Sequence, residues 1–157
     1  MANPLRSAWN DRDTPARAAQ IATLCAKLVT RLGDGARVIT NESNRRVYSR
    51  DLADLPRFIE RALFRTTPLI VVQPRSAQDI ARVMQFANRE NLAVFPRGIA
   101  SSAFGGPVPT TNGIVLDLSP LQKIAAPNLG DKTITVDAGA RWGDVDDTLS
   151  RCGLQLY

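Results

Sequence analysis

Apolar residues recur along this chain with two different patterns, and the change between them divides it in two. From Pro15 to Leu32 they follow a helical spacing, and the proline suits the first turn of a helix. From residue 68 onward, short continuous apolar runs alternate with amphipathic segments, which is typical of buried strands and helices. We therefore predict an N-terminal helical leader over residues 1–66 and an α/β unit over residues 67–157.

The leader is predicted to contain two helices. The first ends at Gly33, a residue suited to the left-handed end of a helix. The second is predicted to begin near Pro56. Between them, residues 36–40 favour a short strand, and the polar residues 41–50 favour a loop.

The α/β unit opens with a predicted strand over residues 69–72, followed by a helix and a strand over residues 93–96. Ser76 and Asp79 have the spacing of a capping box at the start of that helix. The stripe of this helix that faces the core is predicted to be Ile80, Val83, Met84 and Ala87. This order of elements indicates a βαβ unit with a right-handed crossover.

Further elements are predicted towards the end of the chain. Residues 113–118 and 133–137 favour strands, and residues 142–152 favour a helix with Trp142 facing the core and Gly153 as its stop. The predicted fold class is α/β (α+β), with a small, partly parallel sheet and helices packed on it.

Composition excludes several classes of chemistry. The chain has no histidine, so it supplies neither a Ser-His or Cys-His catalytic pair nor a histidine metal ligand. We interpret Cys25 and Cys152 as reduced thiols in the core of a cytoplasmic protein. The three aspartates of residues 144–147 favour a solvated helix face over a metal site.

The net charge of +5 is uneven. Residues 1–67 have 12 Lys/Arg and 7 Asp/Glu, whereas residues 68–157 have 8 of each. The arginines are spread along the first half without the clustering of a nucleic-acid face, so we expect a solvated basic surface and no nucleic-acid partner. Weak binding to nucleic acid or acidic lipid is the alternative. No apolar run is long enough for a transmembrane segment.

A loop of small residues, 97–106, follows the predicted strand that ends at Pro96. Small residues let a backbone approach a ligand, and successive N–H groups in turns bind anions. Ligands of α/β sheets bind beyond the carboxyl ends of strands, where this loop lies. Neither the P-loop motif nor the G-x-G-x-x-G motif is present. From the residues alone, an anion-binding loop and a plain tight connection both remain open.

Several pieces of the α/β unit occur in the order of a known family. They are Pro68–Pro74 with Ser76, Val94–Gly98 with Ser101 and Ser102, Gly113–Asp117 with Leu121 and Ile124, and Thr135–Gly139 with Trp142 and Leu149. In this order they resemble the N-terminal half of the FAD-binding domain of vanillyl-alcohol oxidase-like (PCMH-type) flavoproteins, nearest the glycolate oxidase and D-lactate dehydrogenase branch.

The resemblance implies an FAD-linked oxidase or dehydrogenase that oxidises a small substrate, a 2-hydroxy acid such as glycolate or D-lactate. It implies that the loop binds the pyrophosphate of FAD, without a catalytic residue or metal ligand in this chain. The implied cofactor-binding residues are Arg97, Gly98, Ile99, Ala100, Ser101, Ser102, Gly105 and Gly106.

The loop departs from the family's usual Arg-Gly-Gly-Gly-Thr-Ser. Ile99 and Ala100 replace two glycines, and Ser101 replaces threonine. A branched side chain disfavours positive φ, so we expect the backbone path to differ at Ile99.

The family's domain continues beyond the part matched here, so residues 67–157 are expected to be a partial FAD-binding domain that is inactive alone. The small-molecule substrate would bind to the complete protein, and a partner chain is one way to complete the fold. The sequence indicates no electron acceptor. The alternative interpretation is a truncated or split, non-catalytic chain that acts as an interaction module or is a remnant.

Overall fold

A computed structural model of the chain describes residues 15–52 and 67–156. The helices are α1 Pro15–Leu32, α2 Glu42–Arg46, α3 Ala77–Arg89 and α4 Trp142–Ser150, and the strands are β1 Ala36–Ile39, β2 Ile70–Pro74, β3 Ala93–Arg97 and β4 Gly113–Asp117. Two 3₁₀ turns, Gly33–Gly35 and Val47–Ser49, follow α1 and α2.

The four strands form one sheet in the order β1-β2-β4-β3. β4 lies parallel to both β2 and β3, whereas β1 pairs with β2 in the antiparallel direction. This mixed α/β arrangement confirms the predicted fold class. β2 and β3 are joined through α3 as predicted. They are not neighbours in the sheet, because β4, which comes later in the chain, lies between them.

Two apolar layers cover the sheet, one on each face. On one face, Ile70 and Val72 of β2 pack in a core with Leu28 of α1 and Val83 of α3. On the other face, Val71 packs with neighbours from β1 and β4. Because both faces are covered, the strand has a continuous apolar run instead of an alternating one.

The start of α3 confirms Ser76 as the cap, and the reciprocal hydrogen bond of Asp79 goes to Arg75, one residue before the cap. The Ser76 hydroxyl accepts a hydrogen bond from the backbone N–H of Asp79 at 3.2 Å, and the Asp79 carboxylate accepts from the N–H of Arg75 at 3.1 Å. The predicted core stripe is wrong at one position: Met84 is 48% exposed, and Phe86, at 2%, is buried instead. Phe86 lies three residues after Val83, so both project from the same side of the helix.

The prediction of a loop over residues 41–50 is wrong in its first half. Asn41 caps α2 by accepting a hydrogen bond from the N–H of Asn44, and Arg45 is buried, with its guanidinium donating to the backbone oxygens of Thr40 and Pro68. This polar segment forms a helix because Asn41 caps its first turn and because the buried guanidinium of Arg45 has backbone oxygens as hydrogen-bond acceptors. The helix predicted near Pro56 lies outside the described residues.

Residues 133–137, predicted as a strand, do not form one of the strands of the sheet. They form a short antiparallel hairpin with the preceding segment, in which Ala125 N–H donates to Thr135 O at 2.9 Å and Asp137 N–H donates to Lys123 O at 2.8 Å. In α4, Val145 is buried as the helical spacing requires, but Trp142 is 76% exposed and faces solvent instead of the core.

The two cysteines differ, which corrects the interpretation of both as core thiols. Cys25 is buried on α1, and Cys152 is exposed after α4. Left-handed conformations at Gly33, with φ +56°, and Gly153, with φ +69°, confirm the predicted ends of α1 and α4. Among the helices in the described part of the chain, none is long and apolar enough to cross a membrane.

Candidate functional site

The small-residue loop, residues 97–106, leaves the sheet at the carboxyl edge, as predicted. Arg97, the last residue of β3, pairs in register with Asp117, the last residue of β4. The backbone oxygen of Arg97 accepts a hydrogen bond from Leu118 N–H at 2.8 Å, which ties the exits of both strands together. The loop therefore starts where two parallel strands end side by side.

The left-handed residue in the first half of the loop is an alanine. Ala100 is buried and has φ +56°, whereas Ile99 does not have positive φ and its side chain is 55% exposed. The β-branched residue thus avoids the conformation that it disfavours, and alanine, with only a methyl group, adopts it at a smaller steric cost. The loop turns at Ala100 without a glycine.

Backbone donors are available in the first half of the loop. Within residues 15–52 and 67–156, the N–H groups of the five residues 98–102 donate no hydrogen bond. The side chains of Ser101 and Ser102 are exposed, and no described atom lies within 4 Å of the position that a Cβ on Gly98 would take. Free amides, hydroxyls and open space beside a glycine fit the oxygens of a pyrophosphate.

The second half of the loop is held by the protein itself. Gly105 has φ +75°, and its N–H donates to a carboxylate oxygen of Asp51 at 2.7 Å. Its carbonyl accepts from Val108 N–H at 3.1 Å. Gly106 is exposed, and the Phe104 side chain is 96% exposed. The amide of Gly105 is therefore committed to Asp51 in this structure.

Arg97 contacts the segment that precedes the second unit. Its guanidinium donates to the backbone oxygens of Tyr48 at 3.2 Å and Arg50 at 3.1 Å, and lies 4.9 Å from the centroid of the Tyr48 ring. Burial lowers the pKa of Arg97, against the opposing effect of the charge on Asp117. The guanidinium is half-buried, and the contacts that it makes here are with protein atoms.

A polar cluster underlies the loop at the ends of the parallel strands. Asp117 is 4% exposed, and one of its carboxylate oxygens accepts from the Tyr48 hydroxyl at 3.0 Å and from the Gln73 amide at 2.8 Å. Its other oxygen accepts from Ser119 N–H at 3.0 Å. Burial, and then the charge of Asp117, raises the pKa of Tyr48. The buried carboxylate is satisfied by three donors.

The eight residues that the resemblance assigns to FAD binding lie in this loop, and their role stays a prediction. The sequence analysis did not include the residues that surround the loop, which are Tyr48, Asp51, Gln73 and Asp117. Gln73 and Asp117 had a usable signal, because each is polar near the carboxyl end of an apolar strand. For Tyr48 and Asp51 the sequence offered only a loose resemblance of residues 48–51 to a segment that such flavoproteins often carry, and the tertiary fold brings this segment to the loop.

The aspartates of α4 lie on an exposed face of the helix. Asp144, Asp146 and Asp147 are exposed on α4. Across the described ranges, no group of three histidine, cysteine, aspartate or glutamate side chains is arranged to hold a metal ion.

Comparison with known proteins identifies a family for the second unit. The profile of the FAD binding domain matches residues 68–157. D-lactate dehydrogenase from Archaeoglobus fulgidus is 31% identical over 87 residues, which cover 55% of this chain and 19% of that protein. D-2-hydroxyglutarate dehydrogenase from Xanthomonas citri pv. viticola is 36% identical over 72 residues, which cover 46% of this chain and 15% of that protein.

Solved structures share the fold. The structure of p-cresol methylhydroxylase with substrate bound superimposes with a TM-score of 0.69 at 17% identity, covering 90% of this chain and 26% of that one. The matched segments span about a fifth or less of the two dehydrogenases.

Proposed function

Because the chain belongs to the FAD binding domain family and carries the FAD-binding domain of an FAD-linked oxidoreductase, we propose that it is part of a 2-hydroxy-acid dehydrogenase or oxidase. The observation that supports the proposal is the family match over residues 68–157, combined with a loop at the carboxyl ends of β3 and β4 in which the amides of residues 98–102 donate to no atom of residues 15–52 and 67–156. We assign residues 67–157 to the partial FAD-binding domain and residues 1–66 to an N-terminal leader.

In the proposed site, the small-residue loop binds the pyrophosphate. The N–H groups of residues 98–102 and the hydroxyls of Ser101 and Ser102 supply hydrogen bonds to phosphate oxygens. Gly98 leaves room for the ligand, and Arg97 adds positive charge at the start of the loop. When FAD is bound, its flavin ring supplies the redox chemistry by accepting electrons from the substrate.

The substrate class is proposed from the relatives. D-lactate and D-2-hydroxyglutarate, which appear in the names of two similar proteins, are both 2-hydroxy carboxylates. These relatives are 31% and 36% identical to this chain over matched segments of 87 and 72 residues. We therefore propose oxidation of a small 2-hydroxy acid, with glycolate, D-lactate and D-2-hydroxyglutarate as the first compounds to test.

The test uses the purified gene product that contains residues 1–157. Its visible absorption spectrum is recorded before and after anaerobic addition of each 2-hydroxy acid, with L-lactate as the stereochemical control. We expect flavin absorption that one D-2-hydroxy acid or glycolate bleaches. Flavin absorption that no 2-hydroxy acid bleaches would refute the substrate class, and a colourless protein that does not take up added FAD would refute the site as well.

A further inference from the structure

The segment of residues 48–52, here called the clamp segment, contacts the small-residue loop at its start, middle and end. Arg97 donates to the backbone oxygens of Tyr48 and Arg50. Leu52 N–H donates to the backbone oxygen of Ser102 at 3.3 Å. Asp51 accepts from Gly105 N–H at 2.7 Å. These contacts are spread over the full length of the loop.

We propose that the clamp segment holds the small-residue loop in the path in which the amides of residues 98–102 donate to no described atom, and that Asp51 is the principal positioning residue. The clamp segment lies outside residues 68–157, which match the FAD-binding family. The path of the loop therefore depends on a part of the chain that precedes the recognised domain. The predicted change in FAD affinity rests on the proposed function of the loop, whereas the predicted change in hydrogen exchange of the loop amides does not.

Asp51 acts on the protein side of the loop. Its carboxylate makes a short, charge-assisted hydrogen bond to an amide in a left-handed turn, the strongest kind of contact available to that amide. A carboxylate repels a phosphate, so an aspartate beside an anion-binding loop is better explained by a contact with the backbone than by one with the ligand. Because Asp51 accepts the hydrogen bond of Gly105 N–H, that amide does not bind the ligand.

Arg97 fixes the clamp segment to the sheet. It stacks over the Tyr48 ring, and the Tyr48 hydroxyl is itself held by the buried Asp117. The guanidinium thus lies over a fixed ring, and one of its nitrogens, Nη1, donates to two backbone carbonyls. A lysine lacks the planar group that lies flat on the ring. Through these contacts, the ends of β3 and β4 determine where residues 48–52 lie.

The experiment compares Asp51→Ala with Asp51→Asn in the intact protein freed of FAD. Asparagine retains an oxygen that accepts from Gly105 N–H, and alanine does not. Asp144→Ala, an exposed aspartate on α4, is the matched control. Hydrogen exchange of the amides of residues 101–106 is measured in the apoprotein, and FAD affinity is measured by titration.

We expect Asp51→Ala to speed exchange of the Gly105 amide by about tenfold or more and to weaken FAD binding by a similar factor. Asp51→Asn should recover most of both effects, and Asp144→Ala should change neither. Unchanged exchange in a folded Asp51→Ala protein would overturn the clamp. Faster exchange with unchanged FAD affinity would support the clamp and refute the loop as the pyrophosphate site.

A second variant keeps the proposal testable if Asp51→Ala does not fold. Arg97→Lys retains the positive charge but loses the planar guanidinium that lies over the Tyr48 ring and donates to Tyr48 and Arg50. We expect faster exchange throughout residues 48–52 and weaker FAD binding. Exchange and affinity equal to those of the unmodified protein would show that charge alone matters at this position and would overturn the role of Arg97 in the clamp.

Discussion

The hydroxyl of Tyr48 donates a hydrogen bond to the carboxylate of Asp117 over 3.0 Å, across 69 positions of the chain. This contact joins the segment before the second unit to the end of the central strand β4. It also gives the buried carboxylate one of its three donors. The strength of this contact can be measured.

Tyr48→Phe removes one donor from Asp117 and leaves those of Gln73 and Ser119. We expect a loss of about 1 kcal/mol in the free energy of unfolding, the usual net value of one hydrogen bond. Asp117→Ala should cost more, about 3 kcal/mol, because it leaves three donors without their acceptor. Urea unfolding measures both variants, and equal losses would contradict this account of the cluster.

Stability should fall in alkaline solution through Tyr48. Its pKa is raised in the folded protein, first by burial and then by the charge of Asp117, with Arg97 and Arg37 opposing. The folded state therefore holds the phenol proton more tightly than the unfolded state, whose tyrosine pKa is about 10. This contribution is fully present below about pH 10 and is lost as the pH rises through the folded pKa.

Urea unfolding between about pH 8 and about pH 11 measures this alkaline loss. Tyr48→Phe should show a smaller decline over that range than the unmodified protein. An identical decline in both proteins would assign the alkaline loss to other groups.

Gly98→Val should abolish flavin retention without unfolding the helices. The added side chain enters space that no described atom occupies, so the fold tolerates it. In the proposed site, the same side chain fills space that the pyrophosphate would take. Gly139→Ala is the contrasting variant, because its Cβ would lie 1.9 Å from the backbone oxygen of Leu118 and should destabilise the fold. Circular dichroism and FAD content distinguish the two. Normal FAD content in Gly98→Val would remove this loop from the site.

The two cysteines should react at very different rates. Cys152 is exposed, and Cys25 is buried, with burial raising its thiol pKa despite the opposing charge of Arg45. A thiol reagent near neutral pH should modify Cys152 quickly and Cys25 only after denaturant is added. Mass spectrometry of the modified peptides identifies each site, and rapid modification of Cys25 in the folded protein would contradict its burial.

Phe86→Ala should cost about 3 to 5 kcal/mol in the free energy of unfolding, because it empties a fully buried site in the main core. Met84→Ala, two positions earlier on the same helix, should cost less than about 1 kcal/mol because the methionine is half exposed. Thermal or urea unfolding of this pair tests which side of α3 faces the sheet. Similar losses for the two variants would reject the assignment of Phe86 to the core.

Local sequence patterns were sufficient to predict the elements that depend on neighbouring residues. The apolar run of β2, the capping box of Ser76 and Asp79, and the glycine that ends α1 all depend on neighbours within a few residues. The loop after β3 was found because small residues directly follow an apolar strand. These features arise from backbone geometry and hydrogen bonds over short distances, which a sequence determines by itself.

Only the tertiary structure decided how distant segments meet. Insertion of β4 between β2 and β3 brings Gln73, Arg97 and Asp117 together at the carboxyl ends of the three strands. No local pattern specifies this strand order. The side of α3 that faces the core depends on its packing, which selects Phe86 over Met84. The contact of Asp51 with Gly105 joins residues 54 positions apart, so it exists only once the chain has folded.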